Sequence, residues 1–109
     1  VRVVYIAGPF AGDEKFNTAR ACTLARIGLL QGFAPFVPHC SILMGAYGDD
    51  RLEGEREKGI EATLAILRMV AATGGELWVF GLSPGTSREI EEWEKVAGTG
   101  GVRYWNDEN

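Results

Sequence analysis

The chain opens on a near-continuous apolar run, VRVVYIAG at residues 1–8, rich in β-branched and aromatic side chains and stopped by Gly8-Pro9. Such a run predicts a strand, and its lack of strict alternation predicts burial on both faces. The period then changes. Residues 13–32 place Phe16, Leu24, Ile27 and Leu30 on one helical stripe, with Gly32 as the stop. Asp13 and Glu14 sit at the start of this helix, where the dipole favours acids. Residues 33–38, FAPFVP, predict a short second strand whose prolines put it at a sheet edge or a strand end. A mixed loop over 39–52 follows. Residues 53–75 carry Ile60, Leu64, Leu67 and Ala71 on one stripe, widened by Ile66 and Val70, and predict a second helix. Residues 76–81, ELWVFG, predict a third strand, 86–98 a third helix, and 101–105, GVRYW, a fourth strand. No internal repeat, low-complexity run or linker interrupts the series.

Strands alternating with helical spacers predict a parallel sheet with right-handed crossovers. The expected fold is α/β: one three-layer, doubly wound domain of the flavodoxin-like or Rossmann-like kind over residues 1–109, built on a mainly parallel four-stranded sheet. Such sheets take ligands beyond the carboxyl ends of their strands, where the strand order switches. Three loops fall there: 8–13, 39–52 and 81–87. Glu89 lies just inside the helix that follows the third, and so borders the expected crevice.

Composition narrows the partners. The 109 residues are 46% hydrophobic and 24% charged, a soluble globular profile with enough chain to bury a core. A net charge of -4 and a pI of about 5.0 supply no basic face, so no nucleic-acid partner is expected. The apolar stretches are too short for a membrane span, so no membrane partner is expected either. Cys22 and Cys40 form neither a disulfide framework nor a C-x-x-C pair, and read as thiols in a reducing compartment, with the cytoplasm as the expected location.

The carboxyl-end loops hold the candidate chemistry. GPFAGDEKFN offers Gly8 and Gly12 for close backbone approach and a helix N-terminus that can hold an anion. It matches neither the dinucleotide fingerprint nor the P-loop. SPGTSRE again places backbone N–H groups at a helix start, with the hydroxyls of Ser83, Thr86 and Ser87, a set that suits a phosphate or a sugar hydroxyl. TSRE (86–89) also fits a capping box, which would tie Glu89 to its own helix. His39, the lone histidine, ends the second strand as a structural hydrogen-bonder or a site residue, and no further ligand beside Cys40 completes a metal site. Asp49, Asp50 and Arg51 read as a solvated loop or as a lid carrying acid/base groups. Trp78 is expected in the core, Trp93 and Trp105 in the core or an interface.

Several segments together resemble a known family: VYIAGPF at the first strand, Asn17 ahead of Ala19-Arg20, PFVPH at the second strand, REKGI, ELWVFG with SPGTSREIE, and a closing GVRYW. They resemble small phage- and bacterium-encoded proteins that are similar to the nucleoside 2-deoxyribosyltransferases. The likeness to the small proteins covers nearly the whole chain. The likeness to the transferases rests on the first-strand loop, the order of elements and the G-x-x-x-E segment.

The resemblance implies a glutamate nucleophile, Glu89, attacking the anomeric carbon of a nucleoside or nucleoside 5′-monophosphate, with Tyr5 in contact with it. Gly85, Thr86 and Ser87 would hold the sugar or phosphate, and Gly8, Pro9 and Phe10 would line the base pocket. Asn17, His39 and Ser83 complete the expected substrate-binding set. Such a site uses no metal and no cofactor, and its relatives form homo-oligomers in which a neighbour completes the pocket, a role open to the C-terminal RYWNDEN. A carboxylate beneath the anomeric carbon stabilises oxocarbenium character or forms a glycosyl ester. A helix N-terminus would keep Glu89 ionised at neutral pH. Two positions depart from the family pattern. Ser83 stands near where the transferases carry an aspartate, and Gly74 and Gly75 stand where relatives carry an acid before the third strand. Asp49, Asp50 and His39 are the remaining candidates for the acid that serves the leaving base. A non-catalytic module binding a nucleotide or an ADP-ribose-like ligand in the same crevice is the competing expectation.

Overall fold

A computed structural model describes residues 1–9, 12–38 and 53–105. Its elements are β1 (Val3–Ala7), α1 (Glu14–Leu30), β2 (Ala34–Phe36), α2 (Glu53–Ala72), β3 (Glu76–Val79), α3 (Pro84–Ala97) and β4 (Val102–Tyr104). The four strands form one sheet in the order β2-β1-β3-β4, and every pair is parallel. The fold is therefore the three-layer, doubly wound α/β arrangement. β2 is an edge strand, in keeping with Pro35 within it.

Side chains alternate across β1 and β3, and both sets are buried. Tyr5, Ala7, Leu77 and Val79 face α2 and α3, where they meet Leu67, Val70, Ala71 and Trp93. Val4, Ile6, Trp78 and Phe80 face α1, where they meet Ala21 and Leu24. Period two with both faces covered is what a near-continuous apolar strand needs. Trp78 and Trp93 are both core residues, and Trp105 lies half-buried on Trp78 with ring centroids 5.1 Å apart.

α1 keeps Leu24 and Ile27 of its expected stripe against the sheet and departs from it at Phe16 and Leu30. Asp13 is its N-cap, with the carboxylate accepting the Phe16 N–H at 3.1 Å, and Gly32 follows its end at φ 93. The face turned to the sheet is Asn17, Ala21, Leu24 and Gly28 rather than the larger Phe16 and Leu30, which are 51% and 72% exposed. The reason is the bulk already on the sheet. A Cβ on Gly28 would lie 3.1 Å from Val4 Cγ1 and 3.5 Å from the Trp78 ring, so the glycine at this position lets the helix approach closely. α2 keeps its expected stripe, with Leu64, Leu67, Val70 and Ala71 buried. No helix among the described residues is long and apolar enough to cross a membrane.

Candidate active site

The order β2-β1-β3 places the switch in winding between β1 and β3, and the loops after these strands open beside it. α3 starts earlier than its sequence pattern suggests. Ser83 has extended backbone angles and its hydroxyl accepts the Thr86 N–H at 3.2 Å, while Thr86 Oγ1 accepts the Ser83 N–H at 2.6 Å. Pro84 follows at the first helical position, where its missing N–H and fixed φ suit the helix. The capping box is thus Ser83 with Thr86, not Thr86 with Glu89. Pro84 keeps Ser83 out of helical angles and is itself pre-set for the first helical position, so the helix begins there, and a threonine hydroxyl reaches the N-cap N–H as a glutamate would.

This shift frees Glu89. It now sits in the second turn, on the inward side with Thr86 three positions before it and Trp93 four after. Its Oε2 accepts a hydrogen bond from the Tyr5 hydroxyl. Tyr5 is fully buried, packed on Phe36 at 5.5 Å between ring centroids. Thr63, on α2, also faces the Tyr5 hydroxyl and gives its own proton to Ile60 O at 2.8 Å.

A cavity of about 300 Å³ opens at Glu89, with Tyr5 buried behind it. Pro38, Ile60, Leu64 and Pro84 supply its apolar wall, and Thr63, Gly85, Arg88 and Glu89 its polar one. An apolar pocket with a few convergent polar groups is the usual form of a small-molecule site, and this one lies at the small end of the customary range of about 300–1,000 Å³.

Burial pushes the Glu89 carboxyl up to about 7, although the Tyr5 hydrogen bond pulls the other way. Burial, and then the Glu89 charge, push the Tyr5 phenol well above its ordinary range. The expectation that a helix N-terminus would hold Glu89 fully ionised is therefore overturned. The dipole acts mainly within the first turn, and Glu89 lies beyond it in a partly dry setting.

The other expected site residues divide. Gly85 lines the cavity. Ser87 is exposed in the first turn, its N–H bonded to Ser83 O at 2.9 Å. Thr86 is 1% exposed with its hydroxyl committed to the cap, and Ser83 is the other half of that cap, so these two hydroxyls build the site rather than face a ligand. Gly8 and Pro9 pack on the end of β3: a Cβ on Gly8 would fall 2.2 Å from Phe80 Cζ, and one on Gly81 2.9 Å from Pro9 Cδ. Asn17 is buried on α1, against the opposite face of the sheet from Glu89. Phe10, His39, Cys40, Asp49, Asp50, Arg51 and the tail from Asn106 onward lie outside the described residues.

Gly74 and Gly75 precede β3 at the amino end of the sheet, away from Glu89. Gly74 has φ +80, and a Cβ on Gly75 would lie 2.4 Å from Val3 O. An acidic side chain at either position would be strained and remote from the cavity. Among the described residues no group of three or more His, Cys, Asp or Glu is placed to hold a metal.

Sequence reading missed Thr63 and Arg88. Thr63 carried a signal, being a hydroxyl within the apolar stripe of α2. Arg88 carried none, since a basic residue beside a helical glutamate is ordinary.

The fold and site define a parallel, doubly wound α/β domain with a Tyr–Glu pair beside a small cavity at the strands' carboxyl ends. Over residues 2–99 the chain matches a family described as a domain of unknown function (DUF7768), and it belongs to that family. No curated protein matches it, and no solved structure does.

Proposed function

We propose that the protein cleaves or transfers the N-glycosidic bond of a nucleoside or nucleoside 5′-monophosphate, with Glu89 as the nucleophile. The observation that carries this reading is the Tyr5–Glu89 hydrogen bond at the wall of the cavity. A carboxyl engaged by a buried phenol, rather than by its own helix cap, is held in one orientation toward the space a ligand would fill. In the reaction the anomeric carbon–nitrogen bond breaks and the base leaves with its electron pair and takes up a proton. A Glu89 oxygen bonds to the anomeric carbon, and water or a second base then displaces it. A carboxyl near pKa 7 is divided between its two forms at neutral pH, so the nucleophilic form is present in quantity.

A second reading, a non-catalytic nucleotide-binding module, is favoured by one observation. Glu89 is the one carboxyl that lines the cavity among the described residues, so a separate acid for the leaving base is not among them. A product assay decides between the two. The protein and a Glu89→Ala variant are incubated with nucleosides, nucleoside monophosphates and NAD, and released base is followed by chromatography. Release that vanishes in the variant supports the enzyme. Ligands that raise the melting temperature without any release support the binding module.

A further inference from the structure

We propose that Arg88 forms an anion subsite at the mouth of the cavity, and that the site therefore takes a phosphorylated nucleoside in preference to a free one. The inference rests on the N-glycosidic or nucleotide-binding reading above and names its substrate class. Arg88 is the one cation lining the cavity among the described residues. It stands beside Glu89 on α3, yet one residue of helix rotation turns its side chain toward the rim while Glu89 turns toward Tyr5. A nucleoside monophosphate has the same layout, with its phosphate on the far side of the sugar from the bond to the base. The first turn of α3, through Pro84 and Gly85, contributes to the same wall and brings the positive end of the helix dipole.

Arg88 is already met by an internal anion. Its Nη2 contacts Glu61 Oε1 on α2 at 3.2 Å, with the two side chains 48% and 60% exposed. Exposed pairs of this kind are weak, and this contact uses one of the five guanidinium donors. A phosphate offers more charge and paired oxygens to the guanidinium fork, so it displaces the Glu61 carboxylate readily. Glu61 then acts as a placeholder that lowers phosphate affinity without blocking the cavity.

Binding measurements test this without requiring turnover. Wild type, Arg88→Gln and Glu61→Gln are titrated with the ribo- and 2′-deoxynucleoside 5′-monophosphates of each base, with the matching nucleosides and with inorganic phosphate. Both residues are exposed, and circular dichroism verifies that each variant is folded. The wild type is expected to favour at least one monophosphate over its nucleoside by about tenfold or more. The ratio is expected to fall toward one in Arg88→Gln, to rise a few-fold in Glu61→Gln, and to shrink with added salt. A monophosphate-to-nucleoside ratio that survives Arg88→Gln would overturn the subsite while leaving the nucleotide reading intact. So would inorganic phosphate binding as tightly as the monophosphates, which would mark a plain anion hole. Binding of neither nucleosides nor monophosphates would overturn both readings.

Discussion

The Tyr5 hydroxyl on the central strand β1 donates a hydrogen bond to Glu89 Oε2 on α3, joining residues 84 positions apart in the chain. It is made by a phenol with no exposed surface and a carboxyl on the inner side of a capped helix. A donor aimed at a carboxylate favours the ionised form, whereas burial favours the neutral one. Burial wins here and leaves Glu89 at about 7.

Removing the donor should therefore move the titration further up. Tyr5→Phe keeps the ring that packs on Phe36 and loses only the hydroxyl. If Glu89 is the nucleophile, the acidic limb of the kcat/KM profile shifts to higher pH in this variant. Activity falls most at and below neutral pH and recovers toward the wild-type value in alkaline buffer. A profile that drops equally at every pH would assign Tyr5 to substrate positioning instead.

The same balance makes Glu89 a stability liability that depends on pH. In the unfolded chain its carboxyl titrates near 4.5, and in the folded one near 7. Between these values the unfolded state binds fewer protons, so stability falls as pH rises through the window and the full cost is present above about 7. Glu89→Gln removes the charge and keeps an acceptor for Tyr5. The variant should be more stable than wild type by roughly 1–3 kcal/mol at pH 8, and the difference should disappear at pH 4. Denaturant unfolding at the two pH values measures both quantities, and a wild type as stable as the variant at pH 8 would contradict the buried-carboxyl account.

The Ser83–Thr86 box holds α3 in the register that points Glu89 inward. Thr86 is both the cap partner and a core residue, so the cleaner probe is Ser83→Ala, which deletes the hydroxyl that accepts the Thr86 N–H. A lost N-cap costs about 0.5–2 kcal/mol. Ser83→Asp restores an acceptor at the helix start and should recover most of that loss, as thermal melts would show. If Ser83→Ala melts like wild type, Pro84 alone fixes the helix start.

The period of the apolar pattern made the fold legible, because strands buried on both faces and helices with one stripe leave different signatures. β1, α2 and β3 are the clear cases. α1 was not fully legible: it approaches Trp78 and Val4 closely at Gly28, and small residues carry little hydrophobic signal. The location of Glu89 followed from the rule that ligands gather at strand carboxyl ends. Its partner Tyr5 came from resemblance, since nothing in a run of apolar residues shows which aromatic will meet a carboxyl. The true cap was misread because Ser83-Pro84 and Thr86-Ser87 both offer a hydroxyl at a plausible helix start. Only the backbone path decides between them.

The glycines before β3 give the sharpest contrast in stability. Gly75 is buried where the chain turns from α2 into β3, its N–H bonded to Val70 O at 3.0 Å. A Cβ there would fall 2.4 Å from the Val3 carbonyl oxygen and 2.5 Å from Val70 Cγ1. The valine methyl can rotate, but the carbonyl belongs to the backbone where β1 begins, beside the β1–β3 pairing of Val4 with Glu76. Relief requires the strands to separate, so Gly75→Ala should lose about 1–3 kcal/mol. Gly54 supplies the opposite case, since it lies within α2 and a Cβ on it meets nothing within 4 Å among the described residues. Gly54→Ala should gain up to about 1 kcal/mol from helix propensity alone. Chemical denaturation of the two single variants reads both signs at once. A Gly75→Ala variant as stable as wild type would mean that β1 and β3 yield at their amino ends, and that an acidic side chain could be accommodated there after all.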